Sequence, residues 1–258
     1  MAGNGVVYCK QRGIVAEIVF NRPEVLNAAN WEWVNQFRCV LEELARMQDL
    51  RAVVVYGEGR SFSSGIDLNA LAAGELGLDW FRCFDENVRR LEQLNAITIA
   101  KIHGHAMGGG LQVALGCDLR IASPEATFGL PAILEALIPG LGTYRLPRFI
   151  GLGRARRMIL TGEMIGADEA QRIGLIDWIA PPEQLDEKTE EVIALALKGK
   201  AITQRFAKKL VTQSFDSTYD EMMATYLDYQ QRSISSPEHR EALEAYRRRR
   251  FASRKSKD

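Results

Sequence analysis

His103-Gly104-His105-Ala106-Met107-Gly108-Gly109-Gly110 joins a largely apolar run, Ile97 to Ile102, to a segment, Leu111–Gly116, that reads as a helix. A short apolar run closed by glycine reads as a strand buried on both faces of a parallel sheet. The glycines let the backbone approach a ligand closely. The helix start beyond them presents unpaired N–H groups and the positive end of a dipole, which suit a developing negative charge. A second stretch has the same form: Gly59-Arg60-Ser61-Phe62-Ser63-Ser64-Gly65-Ile66-Asp67-Leu68 follows the apolar run Ala52 to Tyr56. Strand and glycine turn, twice over, argue for an α/β fold whose turns lie outside the carboxyl ends of strands, where ligands bind. Neither turn has the G-x-G-x-x-G spacing of a dinucleotide site, and no GxxxxGK[ST] phosphate loop occurs.

Working outward, residues 6–20 read as a strand pair turning at Arg12-Gly13, with Ile14, Ala16, Ile18 and Phe20 alternating. Asn30 is placed to cap a helix carrying Trp33, Phe37, Val40, Leu41 and Leu44 on one face. A helix is expected near Trp80–Leu94, and short strands at Leu119–Ala122, Ala126–Phe128 and Ile176–Ile179. Beyond about residue 140 the pattern is mostly helical: Arg154–Leu160, Ala167–Ile173, Leu185–Leu197, Ala201–Phe215, Tyr219–Ser233 and Glu238–Phe251. The expected division is a core domain over 1–200 and a helical region over 201–258.

Thirty-three basic and 33 acidic residues leave no net charge, so no global field draws the chain to nucleic acid or an acidic membrane. The C-terminal basic run, Arg247–Arg250 with Arg254, Lys255 and Lys257, reads as a solvated helix face or tail, and nucleic acid is not an expected partner. Cys9, Cys39, Cys83 and Cys117 stand far apart without a CxxC pair, so neither zinc nor a disulfide framework is indicated. With no leader-like start and no apolar run of spanning length, the expected setting is a reducing, cytoplasmic one.

Taken in order, the motifs resemble those of the enoyl-CoA hydratase/isomerase, or crotonase, superfamily across nearly the whole chain. The resemblance rests on Phe20-Asn21-Arg22-Pro23 with Asn27-Ala28, then Phe62-Ser63-Ser64-Gly65-Ile66-Asp67-Leu68. It continues through Gly104-His105-Ala106-Met107-Gly108-Gly109-Gly110 with Cys117-Asp118, and Phe128-Gly129-Leu130-Pro131 with Ile138-Pro139-Gly140 and Arg145-Leu146. It implies a crotonase-like spiral of ββα repeats with a C-terminal helical trimerisation region, assembled as a homotrimer or a dimer of trimers. It implies an acyl-CoA substrate whose thioester carbonyl accepts hydrogen bonds from the backbone N–H groups of Ser64 and Gly109. By the same resemblance Ser64, Ile66, Asp67 and Leu68 line the adenine end of the coenzyme A site, although Asp67 is equally suited to cap the next helix. Coenzyme A enters as part of the substrate, and neither metal nor other cofactor is implied.

The family's two working glutamates fall, by the same resemblance, at Gln112 and Ala132. Glutamine takes no proton at neutral pH and alanine has no functional group. Gln112 remains suited to orient a water or to bind a polar acyl group. Glu135, three residues beyond Ala132 in an apolar run, is the replacement acid or base if burial raises its pKa; an exposed glutamate on a turn is the alternative. His103 and His105 read as structural histidines at a strand end, Asp85 and Glu86 as a solvated helix face, and Trp80 and Tyr144 as packing around the acyl end. The chemistry expected is that of a lyase or isomerase working through a thioester enolate. Decarboxylation and a non-catalytic acyl-CoA binder are the alternatives.

Overall fold

Gly13, at φ +64°, turns β1 (Val7–Arg12) back on β2 (Val15–Phe20) as an antiparallel pair. The structure, a computed structural model, describes residues 5–255, with side chains described through residue 249. After β2, Asn30 caps α1 (Trp31–Arg46) by accepting from the Trp33 amide at 3.0 Å, and the predicted face packs inward with Val34 added to it. β3 (Ala52–Gly57) is buried along nearly its whole length, as a parallel strand covered on both sides must be. Next come α2 (Leu68–Ala72), α3 (Leu78–Glu92), β4 (Ile97–Ile102), β5 (His105–Met107), α4 (Gly109–Leu115), β6 (Leu119–Ala122) and β7 (Thr127–Gly129). A 3₁₀ turn at Pro131–Glu135 leads to α5 (Gly142–Ile150), α6 (Leu152–Thr161), β8 (Met164–Gly166), α7 (Ala167–Arg172), β9 (Trp178–Ile179) and α8 (Leu185–Leu197).

The larger sheet runs β1-β2-β3-β4-β6-β9, parallel from β2 onward; the smaller runs β5-β7-β8, with β8 antiparallel. The core between sheet and helices is aromatic around Phe20, whose ring lies 4.8 Å from Trp33 and 5.6 Å from Phe62. Three elements differ from the sequence reading. β5 lies inside the stretch read as a glycine turn, β8 was not expected, and α5 occupies a stretch with no predicted element. Each strand has three residues, too few for a period to show. In α5, Pro147 interrupts the helical signal, and the helix runs only three residues beyond it.

The chain divides into two compact units, Met1–Ala196 and Leu197–Asp258. The second contains α9 (Ala201–Gln213), α10 (Tyr219–Ile234) and α11 (Pro237–Lys255). Thr218 and Glu221 form a capping box at the start of α10. Phe206 of α9 stacks on Tyr229 of α10 at 4.4 Å, with the Arg232 guanidinium over the Phe206 ring. Arg247, Arg248 and Arg249 are exposed on α11, while the side chains of Arg250, Arg254 and Lys255, and the whole of Lys257, lie outside the described residues. Among the described residues no helix is long and apolar enough to cross a membrane.

Candidate active site

β3 and β4 are neighbours and run the same way, so the turns that follow them leave the same end of the sheet. They are then zipped together. Phe62 and Ser63 donate their N–H groups to the His103 and His105 carbonyls, both at 2.8 Å, and Met107 donates to the Ser63 carbonyl at 3.0 Å. Gly65 adopts φ +98°, and a Cβ there would lie 2.7 Å from the Met107 carbonyl and 3.0 Å from the Gly109 nitrogen. Only glycine serves at such a conformation and such an approach.

This geometry corrects the choice of backbone donor. The Ser64 N–H is already bonded to the Leu26 carbonyl at 2.9 Å. Ala29 pairs in parallel fashion with Ile66, donating to the Gly65 carbonyl at 2.7 Å and accepting from Asp67 at 3.0 Å. That pairing uses the peptide groups on either side of the Ile66 amide and leaves the Ile66 N–H on the opposite edge. Among the described residues the Ile66 and Gly109 N–H groups have no hydrogen-bond partner. Both residues line one cavity of about 50 Å³. The helix α4 that Gly109 opens is only seven residues long, so the N–H itself matters here rather than a macrodipole.

Besides these amides, the wall comes from α3, α4 and the segment from Ala132 to Gly140. Gln112 lines it, is 6% exposed, and keeps its Oε1 without a partner. Ala132 lines it as well. Asp85 joins them, which overturns its reading as part of a solvated helix face. Phe81, Asp85, Val88 and Glu92 form one stripe of α3 at spacings of four, three and four, with Val88 buried and the other three half-buried at the edge of the inward face. Arg145 of α5, nearly fully buried, meets it by donating to Glu92 at 2.6 Å and to Asp85 at 3.3 Å. Burial pushes the Asp85 carboxyl above its ordinary pKa, with Arg145 and the Leu141 amide opposing. Asp85 is the only residue of the described wall whose side chain titrates. A Cβ on Gly140 would lie 3.2 Å from Asp85 Oδ2 and 3.2 Å from both ends of the Gln112 amide.

The other candidates fall elsewhere. Glu135 ends the 3₁₀ turn, is exposed, and lies outside the cavity lining, so the burial that was to make it a base is absent. Glu86 is exposed. His103 bonds the Gly59 carbonyl at 3.0 Å and His105 bonds Thr127 Oγ1 at 2.8 Å; neither lines the cavity. Trp80 lines it, stacked on Phe84 at 5.3 Å, whereas Tyr144 lies under the Arg148 guanidinium. Asp67 caps α2 through the Asn69 and Ala70 amides and pairs with Arg22 at 2.9 Å. Burial alone would raise the Asp67 carboxyl, but Arg22 and those amides outweigh it and hold the pKa below the ordinary value. Ser64 is half-buried and Leu68 is exposed beside it.

Comparison with known proteins places this geometry. The family model described as enoyl-CoA hydratase/isomerase matches residues 10–256. The short-chain-enoyl-CoA hydratase of Clostridium acetobutylicum is 31% identical over 248 residues, covering 93% of this chain and 94% of that protein. The crotonyl-CoA hydratase of Syntrophomonas wolfei is 29% identical over 260 residues, covering 98% of each. The crystal structure of an enoyl-CoA hydratase from Bacillus anthracis superposes with a TM-score of 0.88 at 29% identity, covering 94% of this chain and 96% of that one. A family model spanning nearly the whole chain, with the crotonase fold shared by its structural neighbours, establishes that this protein belongs to the enoyl-CoA hydratase/isomerase family.

Proposed function

We propose that the site takes an acyl-CoA thioester and works through its enolate, with the carbonyl oxygen held between the N–H groups of Ile66 and Gly109. The observation that carries this reading is the pair of unengaged amides brought to one cavity by the approach of Gly65 to Gly109. Donors fixed by the backbone ladder need no reorganisation as charge develops, and such a donor is typically worth about 10²–10³ in rate. Coenzyme A belongs to the substrate. Its adenine end runs along Ser64, Ile66 and Leu68, while the Asp67 carboxylate, engaged by Arg22 and the α2 cap, shapes that strip from beneath.

The acyl group is short. The cavity beside the two amides is small, about 50 Å³. The names of the Clostridium and Syntrophomonas relatives, a short-chain-enoyl and a crotonyl hydratase, agree with that size. Decarboxylation of a malonyl-type thioester is disfavoured. Its carboxylate would enter beside Asp85, and the guanidinium of Arg145 is already shared between Asp85 and Glu92. Self-association into a homotrimer or a dimer of trimers is part of the proposal, supported by the apolar side chains Phe215, Met223, Tyr226 and Leu227 exposed on the second unit. Light scattering reads the stoichiometry directly. The functional reading is tested by calorimetry with butyryl-CoA and a turnover screen of enoyl-, 3-hydroxyacyl- and malonyl-CoA thioesters. Saturable binding and turnover of short enoyl or 3-hydroxyacyl thioesters are expected; neither binding nor turnover of any thioester ends the reading.

A further inference from the structure

We propose that Asp85 is the proton-transfer group of this site, and that Asp85 Oδ2 and Gln112 Oε1 together hold the water that adds to the β-carbon of a short 2-enoyl thioester. The assignment rests on the acyl-CoA reading above and extends it to one reaction. Its geometry comes from three elements that meet at one point. Asp85 Oδ2 on α3 and the Gln112 amide on α4 both lie 3.2 Å from where a Cβ on Gly140 would stand, so they are at most twice that distance apart, and all three residues line the same cavity. One water spans such a gap with ordinary hydrogen bonds to both.

The unpartnered Gln112 Oε1 decides between the reactions open to a single acid–base group. A buried acceptor without a partner costs about 1–3 kcal/mol. Moving a double bond along the acyl chain brings no donor to this atom, whereas water, or the 3-hydroxyl that water becomes, donates to it. Gln112 cannot take the proton, and Ala132 offers nothing, so the proton goes to Asp85. The steps balance with that one residue. The Asp85 carboxylate takes a proton from the water as the water oxygen bonds to the β-carbon. The electron pair of the double bond moves toward the α-carbon and the thioester oxygen, whose charge meets the Ile66 and Gly109 amides. The enolate then takes the same proton from Asp85 at the α-carbon, restoring the carboxylate and the thioester. Water is consumed, and nothing is oxidised or reduced.

The groups facing Asp85 are Arg145 on α5, Glu92 on its own helix, and the Leu141 amide. Arg145 keeps its bond to Glu92 when Asp85 is made neutral, so Asp85→Asn preserves shape and most of the polar network. The test is hydration of crotonyl-CoA by wild type, Asp85→Asn, Asp85→Glu and Gln112→Met, with butyryl-CoA binding measured on each. Expected results are a fall in kcat of about 10²–10⁴-fold in Asp85→Asn with butyryl-CoA affinity within a few-fold of wild type, and partial recovery in Asp85→Glu. Gln112→Met, which removes the acceptor but keeps the length, should lose about tenfold or more in kcat. Wild type should show an acidic limb in kcat/KM that is missing from the residual rate of Asp85→Asn. Butyryl-CoA binding by a wild type that does not hydrate crotonyl-CoA would overturn this proposal and leave the acyl-CoA reading standing. So would an Asp85→Asn variant within threefold of wild type. Absence of butyryl-CoA binding by wild type removes both. Should Asp85→Asn fail to fold, a Gln112→Met variant as active as wild type overturns the shared water by itself.

Discussion

A Cβ placed on Gly65 would stand 3.0 Å from the amide nitrogen of Gly109, one of the two donors that face the cavity. The contact is backbone against backbone, so neither side can swing away. Gly65→Ala must also hold φ at +98°, a conformation costing an L-residue about 1–3 kcal/mol. The variant is expected to fold with a lowered urea midpoint and to lose at least tenfold in butyryl-CoA affinity, read by calorimetry on the folded fraction.

Arg145 is the cation between Asp85 and Glu92. Its replacement by Leu leaves Asp85 without its cation in a half-buried site, while Glu92 keeps Arg89 at 3.1 Å, and breaking a buried pair from one side costs about 3–5 kcal/mol. It also removes the group that opposes the upward shift of the Asp85 carboxyl. Both urea midpoint and acidic limb should respond, the midpoint falling and the limb moving to higher pH. Arg145→Lys keeps the charge but not the fork and should fall between.

Asp67 gives a stability signature of the opposite sense. Its pKa in the folded chain lies below the unfolded value, so it contributes stability above the unfolded pKa and loses it as pH falls through the folded one. Asp67→Asn should therefore destabilise at pH 7, by about 1 kcal/mol or more for a weakened cap and a lost ion pair, and by progressively less below pH 4. Parallel thermal melts at pH 7 and pH 3.5 read the difference; an equal loss at both would mean the Arg22 pair contributes nothing.

Leu137 lines the cavity proposed to take the acyl group and is half-buried, so trimming it enlarges the cavity without opening the core. Leu137→Ala should raise kcat/KM for a six-carbon enoyl thioester relative to crotonyl-CoA by roughly fourfold for each methylene newly accommodated, following about 0.8 kcal/mol per CH₂. A ratio unchanged from wild type would show that the chain leaves the cavity by another wall.

Much of this was legible in the sequence because the deciding features are local. Asn30, a favoured cap residue, stands just before the apolar face that begins at Trp33, and an apolar run ending at Gly57 reads as a buried strand with a turn beyond it. The glycine turns announced close backbone approach before any partner was known. Two things were hidden, each for a geometric reason. Ser64 and Ile66 are two residues apart, and which N–H faces the cavity depends on the pairing of this segment with Leu26 and Ala29, far away in the chain. Asp85 looked solvated because carboxylates usually are. It sits at the edge of the buried face of α3, one residue after Phe84 and three before Val88, and its meaning depends on Arg145, sixty residues on.

The ladder that locks Ser63 to Ala106 separates two parts of the molecule that can change at different rates. In the proposed site the donors to the thioester oxygen are main-chain groups, indifferent to which side chains surround them. The groups proposed to handle water and protons, Asp85 and Gln112, are side chains of α3 and α4, each replaceable by one codon. On the proposed reading, an acid lost from one helix is made good by an acid on another while the thioester keeps its seat, and a chain built this way is free to move its chemistry around a fixed point of attachment.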